Sequence, residues 1–213
     1  MITLQLNRHR QARIWLGKFP NLYYPLSEVL QTEVESQILP FNLDTKRCKV
    51  ALELIVPAAG RAYYGLLGAT HYPQLDSGKL LLGLNEDGSL QVGKGGYWEQ
   101  LRVVVSVGDR VKSDLEEEKL EWALAAKIDR VYPGLPLEYA TSVLEGVVGA
   151  EKLLPGGLLE FNCAAHGVFG SSPHIFRQLT HTLVQLLACP EIESWSSEKL
   201  AEVVSVSFED YKS

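Results

Sequence analysis

The 213-residue chain has few cysteines, a single methionine and no apolar run near the roughly 18 residues that a membrane-spanning helix needs. Cys48, Cys163 and Cys189 are odd in number and show neither CxxC nor Cys/His metal spacing. That argues against a disulfide framework or a structural zinc, and for small buried thiols. The opening stretch MITLQLNRHRQARIW holds no signal-peptide apolar block, and no lipidation motif occurs. These absences predict a soluble, cytoplasmic protein with no membrane contact. A G-x-x-x-x-G-K-[ST] loop is also missing, so no P-loop triphosphate site and no cofactor are expected.

What is present is an ordinary globular mixture, 46% apolar and 22% charged, enough for a real core and against disorder. At about 150 residues per domain, the length suits one large domain or two small ones. Twenty basic residues against twenty-six acidic ones give a net charge of -6. The bulk field therefore repels nucleic acid, and any RNA contact has to be a local patch. Residues 91–190 alone carry nine basic and twelve acidic side chains, so the acidity extends through the second half.

Periodicity gives the elements. Residues 22–39, with Leu26, Val29, Leu30 and Val34 behind Ser27, predict a short amphipathic helix. Val50–Val56 reads as a strand, and the glycine- and tyrosine-rich stretch to Pro73 reads as a loop or hairpin of uncertain shape. Leu80–Leu84 and Leu90–Val92 flank the turn Asn85-Glu86-Asp87-Gly88 and predict a hairpin, and Leu101–Val107 is apolar enough for a sheet interior. Leu120–Ile128 suits helix or strand. The segment from Pro136 to Leu153 places Tyr139, Val143, Val147 and Ala150 on one helical face. Leu158–His166 alternates as a half-buried strand, with Leu159, Phe161, Cys163 and Ala165 on one side. Ser172 followed by Pro173 starts a helix that Cys189-Pro190 ends, and Val203–Phe208 alternates like a terminal edge strand. The sum is an α+β sandwich with helices on one face of a sheet, residues 1–80 being an N-terminal α/β elaboration or small lobe and 81–213 the main domain.

Three pieces then follow in order: Gly93-Lys94-Gly95-Gly96-Tyr97 before the strand Leu101–Val107; Pro136-x-x-Tyr139-x-x-x-Val143-x-x-Gly146; and the strand Leu158–Ala165 with its turn to Gly170-Ser171-Ser172 and Phe176 beyond. Across residues 88–188 this series resembles domain IV of translation elongation factor G, the ribosome-docking domain of that GTPase. The resemblance implies a ribosomal protein S5 domain 2-like fold, with four strands and two helices on one face. It also implies a non-catalytic module that binds ribosome or RNA through the ends carrying Gly93, Lys94, Gly95, Gly96, Tyr97 and Trp98, and His166, Gly167, Gly170, Ser171 and Ser172. Gly170 stands where the family has Asp before the serines. Without a P-loop, the chain is no translational GTPase.

Two other readings stay open. Gly167-Val168-Phe169-Gly170-Ser171-Ser172 looks partly like the phosphate loop of the galactokinase and homoserine kinase group, which shares the fold, and would make the protein a phosphate-ester-binding or phosphoryl-transfer enzyme. Its spacing is one residue too long, and Pro173 lacks an amide. Alternatively the chain is an interaction protein in which residues 1–80 and the Val203–Phe208 edge strand pair with a partner or with a second copy, as a homodimer. No G-x-S-x-G elbow surrounds Ser171 or Ser172, and His174 and His181 read as solvated helix residues, so neither catalytic residues nor a metal site are expected.

Overall fold

The computed structural model describes residues 1–6, 9–36, 47–58, 60–73, 80–84, 90–93, 100–109, 119–189 and 191–208. The strands are β1 (Ile2–Gln5), β2 (Gln11–Leu16), β3 (Glu28–Glu35), β4 (Cys48–Ala58), β5 (Arg61–Pro73), β6 (Leu80–Leu84), β7 (Leu90–Gly93), β8 (Gln100–Asp109), β9 (Val131–Leu135) and β10 (Gly157–Gly167). The helices are α1 (Leu137–Val147), α2 (Pro173–Leu187) and α3 (Ser197–Ser207). Eight strands form one sheet in the order β1-β2-β4-β5-β10-β9-β8-β3, while β6 and β7 make the expected separate hairpin. Neighbours are antiparallel, except that the first half of β10 also runs parallel to β8. Strands from residues 1–80 and from 81–213 thus share one sheet, through β5 with β10 and β3 with β8.

The α+β class and the placement of helices on one face hold. Val143 and Val147 of α1, Phe176, Leu179 and Leu183 of α2, and Leu200 and Val204 of α3 join Leu52, Leu67, Val103, Val105 and Phe161 in one buried cluster. Fully burying an aliphatic or Phe side chain contributes about 1.5–3 kcal/mol, so this face supplies most of the apolar stabilisation. The opposite face carries a smaller cluster of Trp15, Ala51, Ile55, Tyr64, Leu66, Cys163 and Ala165. It is covered by residues 120–128, which form neither helix nor strand but a run of tight turns, closed by bonds such as Ala126 N to Ala123 O at 3.0 Å. Glu53 anchors that cover. Its carboxylate accepts from Leu124 N (2.8 Å), from the Tyr64 hydroxyl (3.0 Å) and from Arg13 (3.4 Å). Trp122 stands edge-on to Trp15 above it, with centroids 6.2 Å apart.

Four expectations are corrected. Residues 28–35 form a strand, not a helix: eight ladder positions against β8 outweigh the weak helical spacing, and from Leu30 onward the exposure alternates with period two. The stretch before Pro73, read as a loop or hairpin, is no loop but the thirteen-residue strand β5, the second arm of a hairpin with β4. Its glycines are packing positions, since a Cβ at Gly65 would meet Leu179 at 2.6 Å and one at Gly68 would meet Cys163 at 3.0 Å. Strand β10 is buried on both faces, Asn162 alone being exposed. A bulge between Phe161 and Cys163 turns the chain over, so Leu159 and Phe161 face the helices while Cys163 and Ala165 face the other side. Residues 203–208 belong to α3 and its end, capped by Ser196 accepting from Lys199 N at 3.3 Å. With Val204 and Phe208 buried there, the self-pairing expected from a C-terminal edge strand has no strand to act through.

The β6–β7 hairpin, the strand at β8, the capped start of α2 and the buried face of α1 form where expected. Ser172 Oγ accepts from Ile175 N at 3.4 Å, and Pro173 takes the first helical position. Helix α1 stops at Val147, short of the expected Leu153, because Gly149 adopts φ +101° and leaves only a tight turn at Glu151–Leu153.

Candidate functional site

The turn that follows β10 is built from glycines because nothing else fits. A Cβ at Gly167 would lie 2.3 Å from Asp129 Oδ2, and one at Gly170 would lie 2.6 Å from Ala62 O. Four successive amides there are all bonded. Gly167 N donates to Ser171 Oγ at 2.8 Å and Val168 N to Arg130 O at 3.0 Å; Phe169 N and Gly170 N donate to the Asp129 carboxylate at 3.2 and 2.8 Å. Ser171 Oγ in turn donates to Tyr64 O at 2.8 Å, tying the turn to β5. Consecutive amides converging on a carboxylate make an anion nest, and here Asp129 occupies it.

The turn is therefore rigid, yet it holds apolar side chains outward. Phe169 is 75% exposed, Ile128 63% and Val168 38%. Exposed cations lie on the stretches bonded to it: Lys127 and Arg130 flank Ile128 and Asp129, and Arg61 adjoins Ala62 on β5. An exposed aromatic on a fixed turn beside basic residues can stack on a planar ligand or enter a partner's pocket.

Of the residues expected to bind, His166 is buried at the end of β10. Its Nδ1 lies 3.1 Å from Gly134 O, and its ring sits 6.3 Å from Tyr139 and 6.5 Å from Tyr132, which makes it a packed residue of the scaffold. Gly167, Gly170 and Ser171 shape the turn, and Ser172 caps α2. Gly93 ends β7 opposite Leu80. Lys94, Gly95, Gly96, Tyr97 and Trp98 lie outside the described residues. Asp129 is not legible in the sequence, since an Asp preceding an Arg-Val strand start gives no local sign that it will reach a turn forty residues on, and Phe169 stands there only as one residue of the glycine loop.

A second polar group lies on the sheet face away from the helices. Lys49, Thr70, Glu160, Val104 and Gln31 form one register row across β4, β5, β10, β8 and β3. Burial raises the Glu160 carboxyl above its ordinary range, against the pull of Tyr72, Asn162, Arg47 and Lys49. Tyr72 donates to Glu160 at 3.4 Å and accepts from Arg47 at 3.1 Å, with the guanidinium 4.7 Å over its own ring. Lys49 Nζ sits 4.0 Å over the Phe19 ring. Thr70 is 1% exposed, and its Oγ1 has no hydrogen-bond partner. No protein-family model, curated protein or solved structure matches the chain.

Proposed function

We propose that the chain is a non-catalytic binding module on a scaffold like domain IV of elongation factor G, docking on ribosomal RNA in the cytoplasm through its Gly167–Ser172 end. One observation carries this: Phe169 is held 75% exposed on a turn whose amides are already engaged, with Arg61, Lys127 and Arg130 on the adjoining stretches. Burying an apolar ring is favourable by kilocalories, so a rigid turn that keeps one out is suited to a partner. The order β8, β9, α1, β10, α2, with both helices on one face, supports the S5 domain 2-like reading. Arg61, Lys127 and Arg130 outnumber Asp129 at this end, which favours a local contact that the net charge of -6 does not favour for the molecule as a whole.

The phosphoryl-transfer alternative finds less support at this turn. Asp129 fills the nest that a phosphate would need, and two anions there repel. In a low-salt filter-binding assay on ribosomal RNA fragments, the intact chain is expected to bind, with Phe169→Ala and Arg130→Ala each weakening retention about tenfold. Absence of any wild-type retention would sink this reading.

A further inference from the structure

The geometry points to a second site, on the sheet face opposite the helices, where Lys49, Arg47, Thr70 and Asn162 receive the phosphoryl group of a small phosphate monoester or of free phosphate. Three independent observations converge on it. Thr70 Oγ1 is buried and lacks a hydrogen-bond partner, which is destabilising unless something fills the position. The register places it between Lys49 on one side and Glu160 on the other, so the missing partner sits among ionisable groups. The β10 bulge leaves Asn162 exposed beside the buried Glu160, so a side-chain amide of this group reaches the surface.

The choice of ligand follows from counting donors against acceptors. Lysine, arginine, a hydroxyl and a side-chain amide can all donate, and a phosphoryl group offers several acceptor oxygens to meet them. A cation would be repelled by Lys49 and Arg47. An apolar ligand would leave Thr70 unpaired. Glu160 is the one carboxylate of the row, and burial raises its pKa, which lessens the repulsion it exerts on an anion beside it. The phosphate loop that Gly167–Ser172 partly resembles has its nest filled by Asp129, while the unfilled donor lies on the sheet.

Isothermal titration with inorganic phosphate, and separately with phosphoserine, tests this on the full chain. Wild type is expected to bind at least one of them, tighter binding of phosphoserine indicating a monoester and of phosphate the free ion. Lys49→Met and Thr70→Val are expected to weaken binding about tenfold each while the circular-dichroism melt stays cooperative, and Phe169→Ala to leave it unchanged. No heat from either probe at tens of millimolar would overturn the site. So would a Thr70→Val chain that is more stable and binds phosphate as wild type does, since the hydroxyl would then be only a packing defect.

Discussion

Glu53 and Glu160 stand on the same face of the same sheet, and burial raises both carboxyls above their ordinary range, yet their surroundings differ in kind. Around Glu53, a backbone amide, a phenol and a guanidinium all converge, and each belongs to a different part of the chain. Around Glu160, the Tyr72 phenol donates at 3.4 Å and the Asn162 side chain is a second partner, while the neighbouring threonine hydroxyl is unpartnered. A buried carboxylate with its partners supplied holds a fold together, whereas one whose surroundings are incomplete is suited to a ligand. The first is a clamp and the second an opening.

The largest test of that difference is removal of each carboxylate. Glu53→Ala strands Leu124 N, the Tyr64 hydroxyl and Arg13, and should lower unfolding stability by about 3 kcal/mol in urea titrations. Glu160→Gln keeps a polar group where few partners depend on it and should stay within about 1 kcal/mol of wild type. Equal losses would erase the contrast between clamp and opening.

Protonation sharpens the contrast between the two faces of the sheet. On the helix side, burial depresses His71 to about 4 while its Nε2 sits 3.1 Å from Pro155 O. Its folded form binds protons less readily than its unfolded form, so its contribution is present above pH 6.5 and is lost as pH falls toward 4. The two glutamates act in the opposite sense. Their folded pKa values are raised, so their contribution is present below the ordinary carboxylate range and fades as pH climbs through the raised values. The histidine effect is on the order of 3 kcal/mol for a shift of this size. Stability followed from pH 7 to 4 should fall in wild type and fall distinctly less in His71→Asn. Identical slopes would remove His71 from the acid limb.

What could be read in the sequence was what local chemistry decides. The start of α2 is written in Ser172-Pro173, and the β6–β7 hairpin in Asn85 to Gly88 between two apolar runs. Errors arose where a distant partner decided. Residues 28–35 became a strand because β8 offered them a ladder, and the alternation of Leu30, Thr32 and Val34 with Gln31, Glu33 and Glu35 is the local sign that the helical spacing masked. At the C-terminus two periods competed: the Val-Ser alternation suggested a strand, but Leu200, Val204 and Phe208 lie four apart and all are fully buried, which is the helical signature. For the sites, the turn at Gly167–Gly170 was legible from its glycines, while Asp129 was not. The row of Lys49, Thr70 and Glu160 exists only through the registers of β4, β5 and β10 and the bulge at Asn162, and a single chain does not print its registers.

Asp129 is the intermediate case between clamp and opening, both in its surroundings and in the effect expected of its removal. Like Glu53 it accepts from backbone amides, but it is only half-buried and it holds a surface turn rather than a core cover. Hydrogen bonds to a charged acceptor contribute about 1.5–3 kcal/mol when buried, and solvent at this position lowers that, so Asp129→Ala should cost about 1–2 kcal/mol. The informative readout is local. Hydrogen exchange at the Phe169 and Gly170 amides should accelerate well beyond the global change, since both lose their acceptor while the α2 cap at Ser172 remains. If exchange there rises no more than elsewhere, the turn is held by Ser171 and the packing of Gly170 against Ala62. Asp129 would then be a guest of the nest rather than its support, and the nest could exchange that carboxylate for another anion.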